Sequence, residues 1–395
     1  MRYIVFLRYL FAGALIFLYN AGFCTGSPMG FLETASLNEG GCKGWAYDAD
    51  YKNDFVTVNF YAENPTGTFV FIGSAIANQP YHSNNDATIP DNHGFVFTIP
   101  CPYKTISKKI HAFIITGQGN TKTKLRNTPI LIETVKKNIR YSDYLDVNTS
   151  KRILELDVYG NKSCEKKPLI VMVHGGAFVF GNKSMYRVLA PELADSGYIV
   201  AAVNYRLLGI PSQKNKHSVM CENGLINDLA WYWAAQDVNA AIKYLIYNKE
   251  FYGIDENRIF LYGESAGAIT VLQLAYATEA EMHASMGEAF FNFPFVGSLD
   301  KTTDSMFRKT TYAIAGVGSL AGGMMHPEYL KPNEKIPLVM LHNPSDVLVN
   351  YTVGESHFDK INGNKPCRHL TWGSKYIADT FDGWENEIKG GAPYH

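Results

Sequence analysis

Charge of one sign is what this 395-residue chain has least of. Lysine and arginine total 36 against 37 aspartates and glutamates, the formal net charge is -1, and no long run of either sign occurs. Binding to a phosphate backbone needs a concentrated basic face, so nucleic acid is not expected as the main partner. Cysteine is scarce at six residues, and no Cys/His grouping has the spacing of a zinc site. The glycine-rich stretch AIAGVGSLAGG at 313–323 lacks the Lys-Ser/Thr ending of a phosphate cradle and reads as a strand with a packed turn. Neither metal nor cofactor is therefore expected. Internal repeats and low-complexity tracts are absent as well.

Aromatics, by contrast, are plentiful, with 25 Tyr and 23 Phe, a composition that suits strands and core packing. The first 26 residues carry Arg2 and Arg8 and then the apolar run YLFAGALIFLYNAGF, the pattern of a secretory signal peptide. Secretion to the periplasm or the extracellular space is the expectation, with an uncleaved membrane anchor as the lesser reading. Export permits disulfides. Cys42 and Cys101 lie in the same N-terminal segment and form the expected pair, while spacing does not pair Cys164, Cys221 and Cys367.

The chain has two rhythms. From 33 to 134 the runs FVTVNFYAE, TFVFIGSAIA, HGFVFTIP and KIHAFIITGQG are short, strand-like and separated by NPTG, QPYHSNND and IPDNHG. Such spacing predicts a small all-β sandwich. This order of runs also resembles β-sandwich modules attached to secreted bacterial hydrolases, which implies an accessory role with a glycan or surface ligand. Residues 134–141 read as the joint, and 141–395 as a second domain. There LELDVYG, PLIVMVHGG, YIVAAVNYRL, RIFLYGESAG and IPLVMLHNPSD are strands, and the second, with its nearly continuous apolar run, the fourth and the fifth read as buried. MYRVLAPELADSG and AAQDVNAAIKYLIYNKEFYG read as helices, the latter amphipathic. Strands alternating with helices build an α/β domain, a doubly wound and mostly parallel sheet.

Chemistry gathers at three strand ends, where open parallel sheets place their sites. In GESAG, Ser265 follows the strand RIFLY and precedes a helix, and Gly263 and Gly267 provide the small neighbours that a sharp nucleophile elbow demands. A serine hydroxyl in that position is a nucleophile once a base takes its proton. HGGAF at 174–178 follows the strand PLIVMV, and a loop of small residues can aim backbone N–H groups at a developing oxyanion. Together with VNYRL, AAQDVNAAIKYL and FYGIDENRIFLYGESAGA, these motifs resemble α/β-hydrolases of the carboxylesterase and hormone-sensitive-lipase type over roughly residues 140 to 350. The resemblance implies an oxyanion hole formed by Gly176, Ala177 and Ala266, with His174 shaping the loop. It implies that the acid is Asp346, in IPLVMLHNPSDVLVNY. The base follows the acid in such chains, which leaves His357, His369 and His395. His357 falls in an apparent helix and His369 in or at the start of a strand. His395 ends a glycine-rich turn and is preferred, with His369 as the alternative.

These features predict a secreted serine carboxyl-ester hydrolase acting on a small-molecule or glycan-linked ester. An esterase on polysaccharide, of feruloyl or acetyl type, is the enzymatic alternative, and a non-catalytic hydrolase-like binding protein the other. Trp231, Phe290, Phe291, Phe293 and Phe295 serve a substrate pocket or the core equally well by sequence.

Overall fold

In the computed structural model the described residues are 28–36, 41–51, 54–63, 67–81, 92–100, 103, 109–116, 121–131, 135–145, 151–160, 165–208, 225–287, 296–332, 336–355 and 370–389. The chain divides into two compact units, Met1–Glu133 and Thr134–His395.

The first unit is all β. Its strands are β1 (Met29–Ser36), β2 (Gly41–Tyr47), β3 (Thr57–Glu63), β4 (Phe69–Ile76), β5 (Gly94–Phe97), β6 (Lys109–Thr116), β7 (Thr121–Lys124) and β8 (Ile130–Leu131). They form two antiparallel sheets, β1-β2-β5 and β4-β3-β6-β7, with β8 on β6. Alternation along β3 turns Val58, Phe60 and Ala62 inward. They meet Leu32, Ala46, Phe95 and Phe97 of the other sheet in one core, where the Phe60 and Phe97 rings stack at 4.1 Å. Cys42 is a free, buried thiol in this core, and burial pushes its pKa up to about 12. Its expected disulfide is thus not formed at Cys42; Cys101 lies outside the described residues.

The second unit has strands β9 (Val135–Leu145), β10 (Lys151–Tyr159), β11 (Lys167–Val173), β12 (Ile199–Val203), β13 (Ile254–Glu264), β14 (Ile314–Leu320), β15 (Gly323–Met324), β16 (Leu338–Leu341), β17 (Val353–Glu355) and β18 (Leu370–Gly373). Seven of them form one sheet in the order β16-β14-β13-β11-β12-β10-β9. β12, β11, β13, β14 and β16 run parallel, and β10 is antiparallel to both neighbours. Strands β15, β18 and β17 make a separate small sheet. β9 occupies most of the stretch expected as a joint, because its backbone pairs along β10 from Val135 onward. The sheet therefore begins before residue 141.

Two expectations about burial are corrected. The helix Leu225–Tyr247 begins earlier than its repeat suggested and is not amphipathic. From Asp228 to Ile242 every residue except Trp233 is buried. Residues 296–300 cover the polar side: Gln236 Nε2 donates to the Val296 carbonyl at 2.8 Å, and Asn239 Nδ2 to Asp300 Oδ1 at 2.8 Å. Satisfied polar groups can be buried, so composition alone misjudged the exposed face. Strand β16, expected to be buried, has β14 as its neighbour in the sheet order and alternates, with Val339 and Leu341 68% and 67% exposed. Among the described residues it ends the sheet, and a strand of apolar composition in that place need not be covered on both faces.

Candidate active site

The carboxyl ends of four adjacent strands are held in register. Val173 of β11 faces Gly263 of β13, Glu264 faces Leu320 of β14, and Leu320 faces Leu341 of β16. Ser265, the 174–178 loop and the 342–349 loop all leave the sheet at this edge. That edge is where the sequence reading located the chemistry.

Ser265 turns the chain from β13 into the helix Ala266–Tyr276, with φ +52° and ψ -117°. Such backbone is sparsely populated for a residue with a side chain, costs roughly 1–3 kcal/mol, and persists only where packing fixes it. Here the Ser265 N–H donates to the Leu320 carbonyl at 2.8 Å, and its own carbonyl accepts from Ile269 N–H at 2.9 Å. The hydroxyl caps no helix N–H. A Cβ added at Gly267 would stand 2.0 Å from the Val173 carbonyl oxygen, so the elbow lies directly on the end of β11.

The 174–178 loop rests against this elbow. A Cβ at Gly175 would stand 3.3 Å from Ser265 Cβ and 2.9 Å from the Glu264 carbonyl oxygen. Ala177 and Phe178 carry φ of +50° and +61°, a second strained stretch beside the first. The Gly176 carbonyl accepts from the N–H groups of Val179 and Phe180 at 3.0 and 3.1 Å. In a trans peptide the Ala177 N–H then points away from that turn. Ala266 opens its helix, so its N–H has no acceptor within the helix.

His174 is enclosed beneath the loop. Its ring stacks on Tyr205 at 4.3 Å, its Nδ1 lies 2.8 Å from the Gly175 carbonyl, and the Tyr205 hydroxyl donates to its own carbonyl at 2.9 Å. Burial lowers its pKa, and the neutral Nδ1–H donates to Gly175. These contacts fix the ring against the 174–178 loop, the place where the family resemblance gave it a shaping role.

Asp346 lies in the loop after β16. Its Oδ1 accepts from the N–H groups of Leu348 and Val349 at 2.8 and 3.0 Å. Its Oδ2 lies 3.4 Å from His342 Nε2, a contact that sequence reading missed. The His342 side chain is wholly enclosed, with Nε2 3.0 Å from the Val349 carbonyl and Nδ1 2.9 Å from Ser374 Oγ. The four-residue separation of His342 and Asp346 was the available signal, but it becomes a contact only through the tight turn between them. His357, His369 and His395 all fall outside the described residues, as do Phe290, Phe291, Phe293 and Phe295. Trp231 is fully buried in the core and donates from Nε1 to Asp228 at 3.0 Å, so it lines no open pocket.

Residues 156–294 match the family model described as BD-FAE. The chain is 34% identical over 125 residues to gut esterase 1 of Caenorhabditis elegans, covering 31% of this chain and 20% of that protein. To a probable isoprenylcysteine alpha-carbonyl methylesterase of Oryza sativa subsp. japonica it is 27% identical over 188 residues, covering 45% of this chain and 39% of the other. The matches thus span from a fifth to under two fifths of the length of these relatives. Among solved structures, carboxylesterase Cest-2923 from Lactobacillus plantarum aligns at 16% identity and TM-score 0.38, covering 55% of this chain and 74% of that one. Esterase B from Lactobacillus rhamnosis aligns at 20% identity and TM-score 0.32, covering 48% and 49%.

Proposed function

We propose that this chain is a serine carboxyl-ester hydrolase with Ser265 as its nucleophile. One observation carries the reading: a serine at φ +52° between a sheet strand and a helix, with the loop glycine Gly175 packed against its Cβ. Strain of that kind is retained where it presents a hydroxyl for chemistry. The esterase names of the relatives agree with it.

In the proposed reaction Ser265 Oγ attacks the ester carbonyl carbon as a histidine takes its proton. The N–H groups of Gly176, Ala177 and Ala266 receive the charge on the carbonyl oxygen. The histidine returns the proton to the departing alcohol, and water then releases the acid from the acyl-enzyme by the same route. Asp346 orients the imidazole with Oδ2, since two backbone amides already hold Oδ1. Two strand spacings, roughly 10 Å, separate β13 from β16, and His395, or alternatively His369, is assigned to bridge the interval. Secretion and an accessory, ligand-binding role of the first unit belong to the same proposal.

A fluorophosphonate probe tests the reading. Labelling is expected at Ser265, and Ser265→Ala should abolish both labelling and turnover of p-nitrophenyl acetate with the melting temperature retained. Wild-type turnover by the alanine variant, or labelling of another serine, would refute it.

A further inference from the structure

The segment that follows the oxyanion loop is built inside out. Residues Lys183–Tyr186 form a 3-10 turn, and the helix Leu189–Asp195 follows. Lys183 and Tyr186 point inward. Lys183 Nζ donates to Asp157 Oδ1 at 2.8 Å and to Asn138 Oδ1 at 2.6 Å, and the Tyr186 hydroxyl donates to the Val173 carbonyl at 2.8 Å. The Lys183 N–H donates to Asn204 Oδ1 at 2.7 Å. The apolar side chains take the outer positions: Phe180 is 52% exposed, Met185 45%, Val188 62% and Leu189 37%. Spacings of three and four residues put Met185, Val188 and Leu189 on one side of a helical path. A buried lysine under exposed methionine, valine and leucine reverses the usual order of a surface helix. Rotating the segment to hide the apolar side would strip the Lys183–Asp157 pair of its partners, at a cost that exposed hydrocarbon does not repay.

The segment approaches the reaction centre through Phe180. A Cβ added at Gly176 would stand 3.1 Å from Phe180 Cδ2, and one at Gly175 would stand 3.3 Å from Ser265 Cβ. The Phe180 ring therefore borders the loop glycine whose neighbour borders the nucleophile. Grouped exposed apolar side chains, unlike singly scattered ones, mark a binding site.

We propose that Phe180, Met185, Val188 and Leu189 form the wall that binds a hydrocarbon arm of the ester, selecting substrates with a medium-length chain over acetyl and methyl esters. The proposal rests on the serine esterase reading and names the substrate class of that site. Contact with a chain of several methylenes raises kcat/KM through binding energy, whereas an acetyl group reaches no farther than the elbow.

Two ester series test it and tell the acyl side from the alcohol side: p-nitrophenyl esters from acetyl to decanoyl, and acetates of alcohols from methyl to decyl. One series should show kcat/KM rising with chain length. In Met185→Ser/Val188→Ser and in Phe180→Ser the octyl-to-acetyl (or octyl-to-methyl) ratio should fall about tenfold, the scale of one or two methylene contacts in an apolar site. A flat wild-type profile in both series, or a ratio unmoved by the serine variants, would overturn the proposal. Calorimetric titration with decanoate separates it from the esterase reading. If Ser265 takes no phosphonate label, decanoate should still bind wild type several-fold more tightly than the double variant. Equal affinities or no binding would overturn it there too. Self-association of wild type that the double variant loses, with chain preference intact, would assign the surface to a second copy and also overturn it.

Discussion

His174 stands at the end of β11, next to the strand that carries Ser265, and its ring is held by stacking on Tyr205. Burial lowers its pKa below the ordinary 6.5, and its Nδ1–H is committed to Gly175. The folded protein thus holds it neutral while an unfolded chain takes up a proton below pH 6.5. The stability this provides is present above that pH and is lost as pH falls from 6.5 toward the depressed folded value. We expect the unfolding free energy of His174→Gln to depend less steeply on pH between 7 and 5 than that of wild type, as measured by urea titration at each pH. Identical slopes would show that His174 does not titrate with folding. Residue identity made Ser265 and His174 legible, because GESAG and HGGAF are contiguous. His342 was not, because its closeness to Asp346 Oδ2 depends on how the 343–345 turn closes. The Lys183–Asp157–Asn138 group was equally hidden, since its members come from separate segments.

At the scale of elements, the elbow depends on how closely the helix Ala266–Tyr276 approaches the sheet. Residues from Ala266 to Leu274 are all buried, so the helix cannot back away without opening the core. Gly267 lies where a Cβ would collide with the Val173 carbonyl. Gly267→Ala should therefore destabilise the second unit by about 1–3 kcal/mol, the usual cost of overpacking, and lower turnover by displacing Ser265. Denaturant midpoints with an unchanged m-value would measure the first effect. A variant as stable as wild type would mean that the helix yields easily. Strand and helix identities in this unit followed from apolar run length. Burial did not, as the helix segment enclosed from Asp228 to Ile242 and the half-exposed strand β16 show, because burial depends on which segments lie across from each element.

For the whole molecule, each unit has its own core. Phe60, Phe97 and Ile114 belong to one, and Val171, Trp231 and Leu261 to the other. Independent cores predict independent unfolding. Differential scanning calorimetry should resolve two transitions, with Gly267→Ala moving one of them. A chain beginning at residue 134 should retain that same transition, whereas a cut within β9 should lower it, because residues from Val135 onward pair along β10. A single transition that shifts as a whole would contradict this division.

The sequence by itself determined the alternation of strands and helices, the change of rhythm between the two units, and the identity of Ser265 with its small neighbours. Each of these depends on residues near one another in the chain, where periodicity and steric demand act locally. Tertiary structure alone decided that Ser265 is strained, that Gly175 lies against it, and that His342 touches Asp346. It also decided that a lysine is buried beneath an exposed apolar segment. Those outcomes depend on distances between segments far apart in sequence, fixed by sheet register and by the partners that buried polar groups require.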